Sequence, residues 1–318
     1  MKIKVKNLGV LKQAEFTLGD LTILSGCNNT GKTYATYALF GFLSIWQRMF
    51  SIEISDDKID QLLADGVIHL DIQEYVKQSE QIIIKACQEY TQQLPKIFAT
   101  STERFKKTEF QVEIDINDIK LIDKFELTIG STNIEIFSII KPKDNNTELI
   151  VTLLVDKENI KIPIDIVKRP IADALKEIIF SPLFPRPFIA SAERTGVAIF
   201  RKELIFARSR LLGEMTQTAN NIDLMELLFK VYDDYALPIK KNVDFIEKLE
   251  TLFKKSSFIA ENYPDILVDF ANIIGGEYTV TQNDELYYVP KGKRIKLSMD
   301  ESSSAVRFSI RYWFLPAT

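Results

Sequence analysis

The sequence predicts an α/β fold organised around one phosphate-binding loop, with an antiparallel β section and a helical lobe added to it. Three observations predict it. Gly26-Cys27-Asn28-Asn29-Thr30-Gly31-Lys32-Thr33 fits the G-x-x-x-x-G-K-[ST] pattern of a P-loop. Before it, residues 21–25 are a short apolar run that reads as a buried parallel strand. After it, Ala35, Leu39, Phe42, Leu43 and Trp46 recur at helical spacing, which predicts a helix from about Lys32 with that stripe buried.

Strand, glycine loop and helix start together make an anion site. Gly26 and Gly31 allow backbone angles that a side chain resists. The loop N–H groups and the helix dipole then favour phosphate oxygens. In that chemistry Lys32 reaches the terminal phosphates and the Thr33 hydroxyl ligates Mg²⁺. Cys27 lines the loop at a position where many residues are tolerated, and a helix N-terminus also favours its thiolate.

Apolar residues make up 46% and charged residues 26% of the 318, an ordinary balance for a water-soluble globular chain. The net charge of −4 argues against general attraction to nucleic acid or anionic membrane and leaves local basic clusters open. Two cysteines, Cys27 and Cys87, suggest no disulfide framework. Residues 1–6 alternate apolar and charged, with no signal-peptide core behind them, and 35–50 is too short and too interrupted to span a bilayer. The expectation is a cytoplasmic protein with no membrane partner. With a single histidine, His69, a site needing several histidines is excluded. His69 itself reads as a surface or packing residue.

Along the chain, residues 1–7 and 13–18 read as strands, with a Gly19-Asp20 turn before the third at 21–25. The loop helix covers 34–48. Segments 56–64 and 71–94 read as helices, the second closed by Pro95. From 109 to 165 the pattern has period two, at 110–116, 125–129, 134–140 and 148–155, which predicts an antiparallel sheet with one face in water. Leu153-Leu154-Val155-Asp156 reads there as a hairpin strand. A short helix near 171–180 and a proline-rich link lead to 188–196, which reads as a buried strand running into a polar turn with Glu193 and Arg194. Residues 197–210 and 221–272 read as mostly helical, with Pro238 and Pro264 near first-turn positions. Gly275-Gly276 opens a last β section at 278–281, 286–289 and 295–297. Ser302, Ser303 and Ser304 then precede an amphipathic run that they would cap.

These features resemble the ABC-class ATPase heads of the RecF, structural-maintenance-of-chromosomes and OLD type, and the bacterial AAA-family ATPases of phage-defence and DNA-maintenance systems. The resemblance rests on the strand pair leading directly to a P-loop with Asn28-Asn29-Thr30, on 188–196, and on Gly275-Gly276 with a hairpin leading to Ser302–Val306. It implies a P-loop NTPase fold of the ABC-ATPase-like kind across the whole chain. Residues 1–50 and 109–196 would form the nucleotide-binding lobe, 51–108 and 197–272 helical segments, and 273–318 the hairpin and signature-like helix.

By the same resemblance, ATP and Mg²⁺ bind Gly26–Thr33 of one subunit, and Ser303 and Ser304 meet the γ-phosphate in the opposite subunit of a homodimer or higher oligomer. Ala305 stands where such heads usually have glycine, and plain helix capping by the serines is the alternative. Glu193 is a weak candidate for a catalytic carboxylate. With Arg194 it belongs either near the nucleotide or to a surface ion pair. The strand ending in Asp and the catalytic Glu that follow the signature in such heads are not met before Thr318, and 307–318 departs from their pattern. The expectation is a truncated head in which ATP binds and hydrolysis is weak.

The implied function is nucleotide-driven dimerisation coupled to DNA or to a nuclease effector, in anti-phage defence or DNA repair. Basic candidates for DNA are Lys291, Lys293, Arg294 and Lys296, Lys254 with Lys255, and Arg201, Arg208 and Arg210. A hydrolysis-defective assembly module is the alternative. An unrelated P-loop kinase or GTPase fits less well, because no N-K-x-D and no arginine-rich lid is present.

Overall fold

A computed structural model describes residues 1–131, 134–143, 147–155, 164–191, 235–247, 261–281, 286–299, 301–303 and 305–306. The chain divides into two compact units, Met1–Pro95 with Thr100–Pro187, and Lys96–Ala99 with Phe188–Thr318. The architecture is mixed α/β, and every described strand pairing is antiparallel.

In the first unit, β1 (Lys2–Leu8) and β2 (Leu11–Thr17) form a hairpin. Alternation does here what it predicts. Ile3, Val5 and Leu8 are buried, while Lys2 and Lys4 pair with Glu15 and Lys6 lies 3.2 Å from Glu109 on the wet face. The third strand of this sheet is β4 (Glu109–Glu113), giving the order β2-β1-β4. This corrects the expectation of one sheet across 109–165, because period two marks a strand without naming its neighbour.

The second sheet has the order β3-β7-β6-β5, from β3 (Val67–Asp71), β5 (Phe125–Ser131), β6 (Ile134–Lys141) and β7 (Glu148–Leu153). Strand β3 occupies a stretch for which the sequence predicts no element and takes only Asp71 from the expected 71–94 helix, which is divided into α3 (Ile72–Val76) and α4 (Ser79–Ile97). Pro95 lies inside α4 and does not close it. His69 is exposed on β3, its Nδ1 2.7 Å from Glu148 of β7, so the surface reading holds.

Helix α1 (Lys32–Met49) carries Phe42 and Trp46 into an aromatic core. Phe42 meets Tyr90 of α4 edge to face at 5.4 Å, and Phe110 of β4 at 5.3 Å. Phe50 meets Phe180 at 4.8 Å, at the end of α5 (Ile164–Phe180), and Phe184 packs on both Phe42 and Trp46. Such edge-to-face pairs place ring edges on ring faces and add to the area buried. Helix α2 (Asp56–Asp65) buries Ile59 and Leu62 and ends at Gly66, whose φ of 82° makes the left-handed cap.

The expected strand at 21–25 is not present. These residues join no ladder, and Leu21 and Ile23 are 80% and 77% exposed. A parallel strand is stable only where neighbours take its N–H and C=O groups on both edges, and no described strand lies beside it. The expected buried strand at 188–196 also fails where it is described. Residues 188–191 join no ladder, and Phe188 is 43% exposed, with its ring against Phe245.

The second unit holds α6 (Leu237–Glu247), α7 (Pro264–Ile274) and the sheet β10-β9-β8, from β8 (Gly276–Val280), β9 (Leu286–Pro290) and β10 (Leu297–Ser298). Pro264 occupies the first turn of α7, as expected, and Pro238 is second in α6. The last described strand is Leu297–Ser298, and Ile295, expected to start it, is exposed.

Candidate functional site

The loop from Gly26 to Thr33 is built by three left-handed residues. Gly26 has φ 154°, Asn29 has φ 62° and Gly31 has φ 94°. The first and last need glycine, and asparagine tolerates the middle one. Thr30 Oγ1 donates to the Cys27 carbonyl at 2.9 Å and pins the turn. The first helical bond, from Ala35 N–H to Gly31 C=O, measures 3.1 Å. From Cys27 to Thr33 no backbone N–H donates to a described protein acceptor. No side chain caps α1, and its first turn carries no acidic residue. The loop therefore presents unshared donors at the positive end of a helix.

Lys32 is the cation inside this turn. Its Nζ donates to the carbonyls of Gly26 at 2.8 Å and Cys27 at 2.5 Å. Thr33 is exposed and its hydroxyl has no partner among the described residues, which suits it to meet a cation. The residues fit a magnesium-bound triphosphate: backbone donors and Lys32 for the oxygens, Thr33 for the metal. None of the described carboxylates bonds to the loop.

Sequence reasoning missed what supports the loop. The β1–β2 turn lies against it. A Cβ on Gly31 would stand 2.5 Å from Leu11 Cγ and 3.1 Å from Val10 Cγ2, and one on Gly9 would stand 2.3 Å from the Tyr34 ring. Gly9-Val10 is a visible turn signal, but nothing local says that it touches a loop some twenty residues on.

Ser303 and Ser302 belong to the second unit. Ser302 is buried, and its hydroxyl donates to the Ser298 carbonyl at 2.7 Å. Ser303 is exposed, and its Oγ accepts from the Val306 N–H at 3.3 Å, a capping bond. Glu301 accepts from both the N–H and the hydroxyl of Ser298, and these bonds hold its carboxyl below the usual range. Ser304, Glu193, Arg194 and Asp156 lie outside the described residues, as do Lys254, Lys255, Arg201, Arg208, Arg210 and 307–318. Of the expected DNA contacts, Lys293, Arg294 and Lys296 are exposed on the segment after β9, and Lys291 Nζ donates to Asn272.

No described helix is long and apolar enough to cross a membrane. Comparisons with protein families, with curated proteins and with solved structures return no match.

Proposed function

We propose that this chain binds Mg²⁺-ATP at Gly26–Thr33 and uses the bound nucleotide to assemble with a second copy, as an ABC-type head does. The observation that carries the reading is the loop itself: N–H groups from Cys27 to Thr33 that no described acceptor takes, around the Lys32 ammonium, at a helix start without a side-chain cap or acidic residues. Ser303 and Ser304 of the opposite subunit are the proposed γ-phosphate partners. Assembly would serve DNA or a nuclease effector in defence or repair, in the cytoplasm. Hydrolysis is slow in this reading, because charge stabilisation and water positioning are the main catalytic terms and no described carboxylate bonds to the loop.

Mg²⁺-ATP titration followed by calorimetry, with light scattering for mass and a phosphate-release assay, tests all three parts. Binding that Lys32→Ala abolishes, a nucleotide-dependent rise in mass and little turnover are expected. Absence of binding would overturn the reading. Binding without a change in mass would leave a nucleotide site that does not drive assembly.

A further inference from the structure

The β1–β2 turn has a second neighbour besides the P-loop. A cleft of about 430 Å³ lies between this turn and the segment that precedes β4. Its walls carry four cations, Lys12, Arg104, Lys106 and Lys107, against one carboxylate, Glu103. Lys106 is ion-paired with Glu103 at 2.6 Å. Lys12, Arg104 and Lys107 are exposed and have no ion-pair partner among the described residues. That is a positive surface on a chain whose net charge is −4.

The backbone under these cations is fixed. Residues Thr102–Phe105 form a 3₁₀ turn, and Phe105 and Thr108 point inward, both buried. The intervening Lys106 and Lys107, with Arg104, point out. Asn7, left-handed at φ 51°, ties the segment to the end of β1. Its Nδ2 donates to the Lys107 carbonyl at 3.0 Å, and its own carbonyl accepts from Thr108 Oγ1 at 2.6 Å. The cations are thus presented from a held frame beside the turn that props Gly31.

We infer that this cleft is a contact site for the phosphate backbone of a nucleic acid. Small-molecule pockets are mostly apolar with a few placed polar groups, whereas this lining is largely charged and polar. Long exposed cations without carboxylate partners suit phosphates that pass across a surface, where release of condensed counterions supplies the affinity. The contact is independent of base sequence, since phosphates carry none. The inference deepens the proposed function by giving nucleic acid a surface on the nucleotide-binding unit, and its test does not depend on ATP.

The test is fluorescence anisotropy of a labelled mixed-sequence duplex and its single strand, without nucleotide, between about 50 and 200 mM salt. The chain is compared with the triple variant Lys12→Gln, Arg104→Gln, Lys107→Gln, with each single variant, and with Lys32→Ala. The expected result is a loss of tenfold or more in the triple variant. The slope of log affinity on log salt should shrink by about three in the triple variant and about one in each single, with Lys32→Ala unchanged. If the triple variant melts early, the single variants carry the comparison. No binding by the unaltered chain, or equal slopes in variant and parent, overturns the inference. So does a triple variant that loses Mg²⁺-ATP binding while keeping the oligonucleotide, which would assign the cleft to the nucleotide.

Discussion

Lys32 Nζ lies 2.8 Å from the carbonyl oxygen of Gly26, so the lysine closes the loop on its own first residue. A phosphate entering the loop finds the ammonium already placed and the surrounding N–H groups unshared. The side chain serves the loop and not the core. Lys32→Ala should therefore change the stability of the free protein by under about 1 kcal/mol. Ligand-induced stabilisation should vanish in it. At a nucleotide concentration one hundred times Kd, linkage predicts about 2.7 kcal/mol for the parent chain. Thermal melts with and without Mg²⁺-ATP read both quantities at once.

Gly31 depends on Leu11 as much as on its own backbone freedom. With φ at 94° and a would-be Cβ 2.5 Å from Leu11 Cγ, Gly31→Ala meets both backbone strain and a clash. The strain alone is worth about 1–2 kcal/mol. Truncating Leu11 removes the clash and leaves the strain. The cost of Gly31→Ala should be smaller on a Leu11→Ala background than in the parent, by about 0.5 kcal/mol or more. A double-mutant cycle by urea unfolding measures the difference, and strict additivity would mean that the turn does not support the loop.

What was legible in the sequence follows from which interactions are local. The lysine ladder of β1, with Ile3 and Val5 turned inward, is written in alternation and appears as read. The P-loop is a contiguous motif, and its first six residues form the turn before α1, which begins with Lys32 and Thr33. Partnership is the part that is not written. Residues 109–113 and 148–153 carry similar alternation, yet they belong to different sheets. Strand β3 is five residues between two helices, too short for periodicity to separate it from a helix start. The run at 21–25 is apolar enough for a buried strand, but apolar character does not supply the neighbouring strands that would bury Leu21 and Ile23. The support of Gly31 by Val10 and Leu11 is hidden for the same reason: it is a contact through space.

The aromatic core sets the stability of the first unit. Phe42 is fully buried and touches four other rings, those of Phe50, Tyr90, Phe110 and Phe184. Phe42→Ala leaves a cavity where α1, α4 and β4 meet and should cost about 3–5 kcal/mol. Tyr90 is also fully buried, and its hydroxyl donates to the Ala38 carbonyl at 2.5 Å. Tyr90→Phe keeps the ring and removes that bond, while the Ala38 carbonyl keeps its place in the α1 ladder, so a cost of about 0.5–1.5 kcal/mol is expected. Chemical denaturation of the two variants ranks them, with Phe42→Ala the larger.

The two cysteines should separate by burial. Cys27 is exposed on the loop, and Cys87 is buried in α4, where desolvation pushes its thiol up to about 12. Under native conditions at mild alkaline pH one thiol per chain should react with a maleimide, and two after unfolding. Bound Mg²⁺-ATP should slow the native reaction, since Cys27 is part of the loop. The raised thiol also fixes a sign for pH dependence. The folded state prefers the neutral form, so its contribution is complete below the ordinary thiol value near 9 and is lost as pH rises towards 12. Unfolding free energies over that interval should fall more steeply for the parent than for Cys87→Ala.

Ser303 separates capping from phosphate recognition, because one substitution keeps the first and destroys the second. Its Oγ accepts the Val306 N–H, so Ser303→Ala should lower stability by about 1 kcal/mol. Aspartate caps a helix as well as serine does, and its charge favours the positive end of the dipole. The same charge repels a γ-phosphate presented by a second subunit. Ser303→Asp should therefore melt at the parent's temperature and bind Mg²⁺-ATP at Gly26–Thr33 unchanged, yet lose the nucleotide-dependent rise in mass. Static light scattering of parent, Ser303→Ala and Ser303→Asp, with and without Mg²⁺-ATP, reads that pattern. If Ser303→Asp assembles like the parent, the serine is a cap and the opposite subunit's phosphate meets other residues.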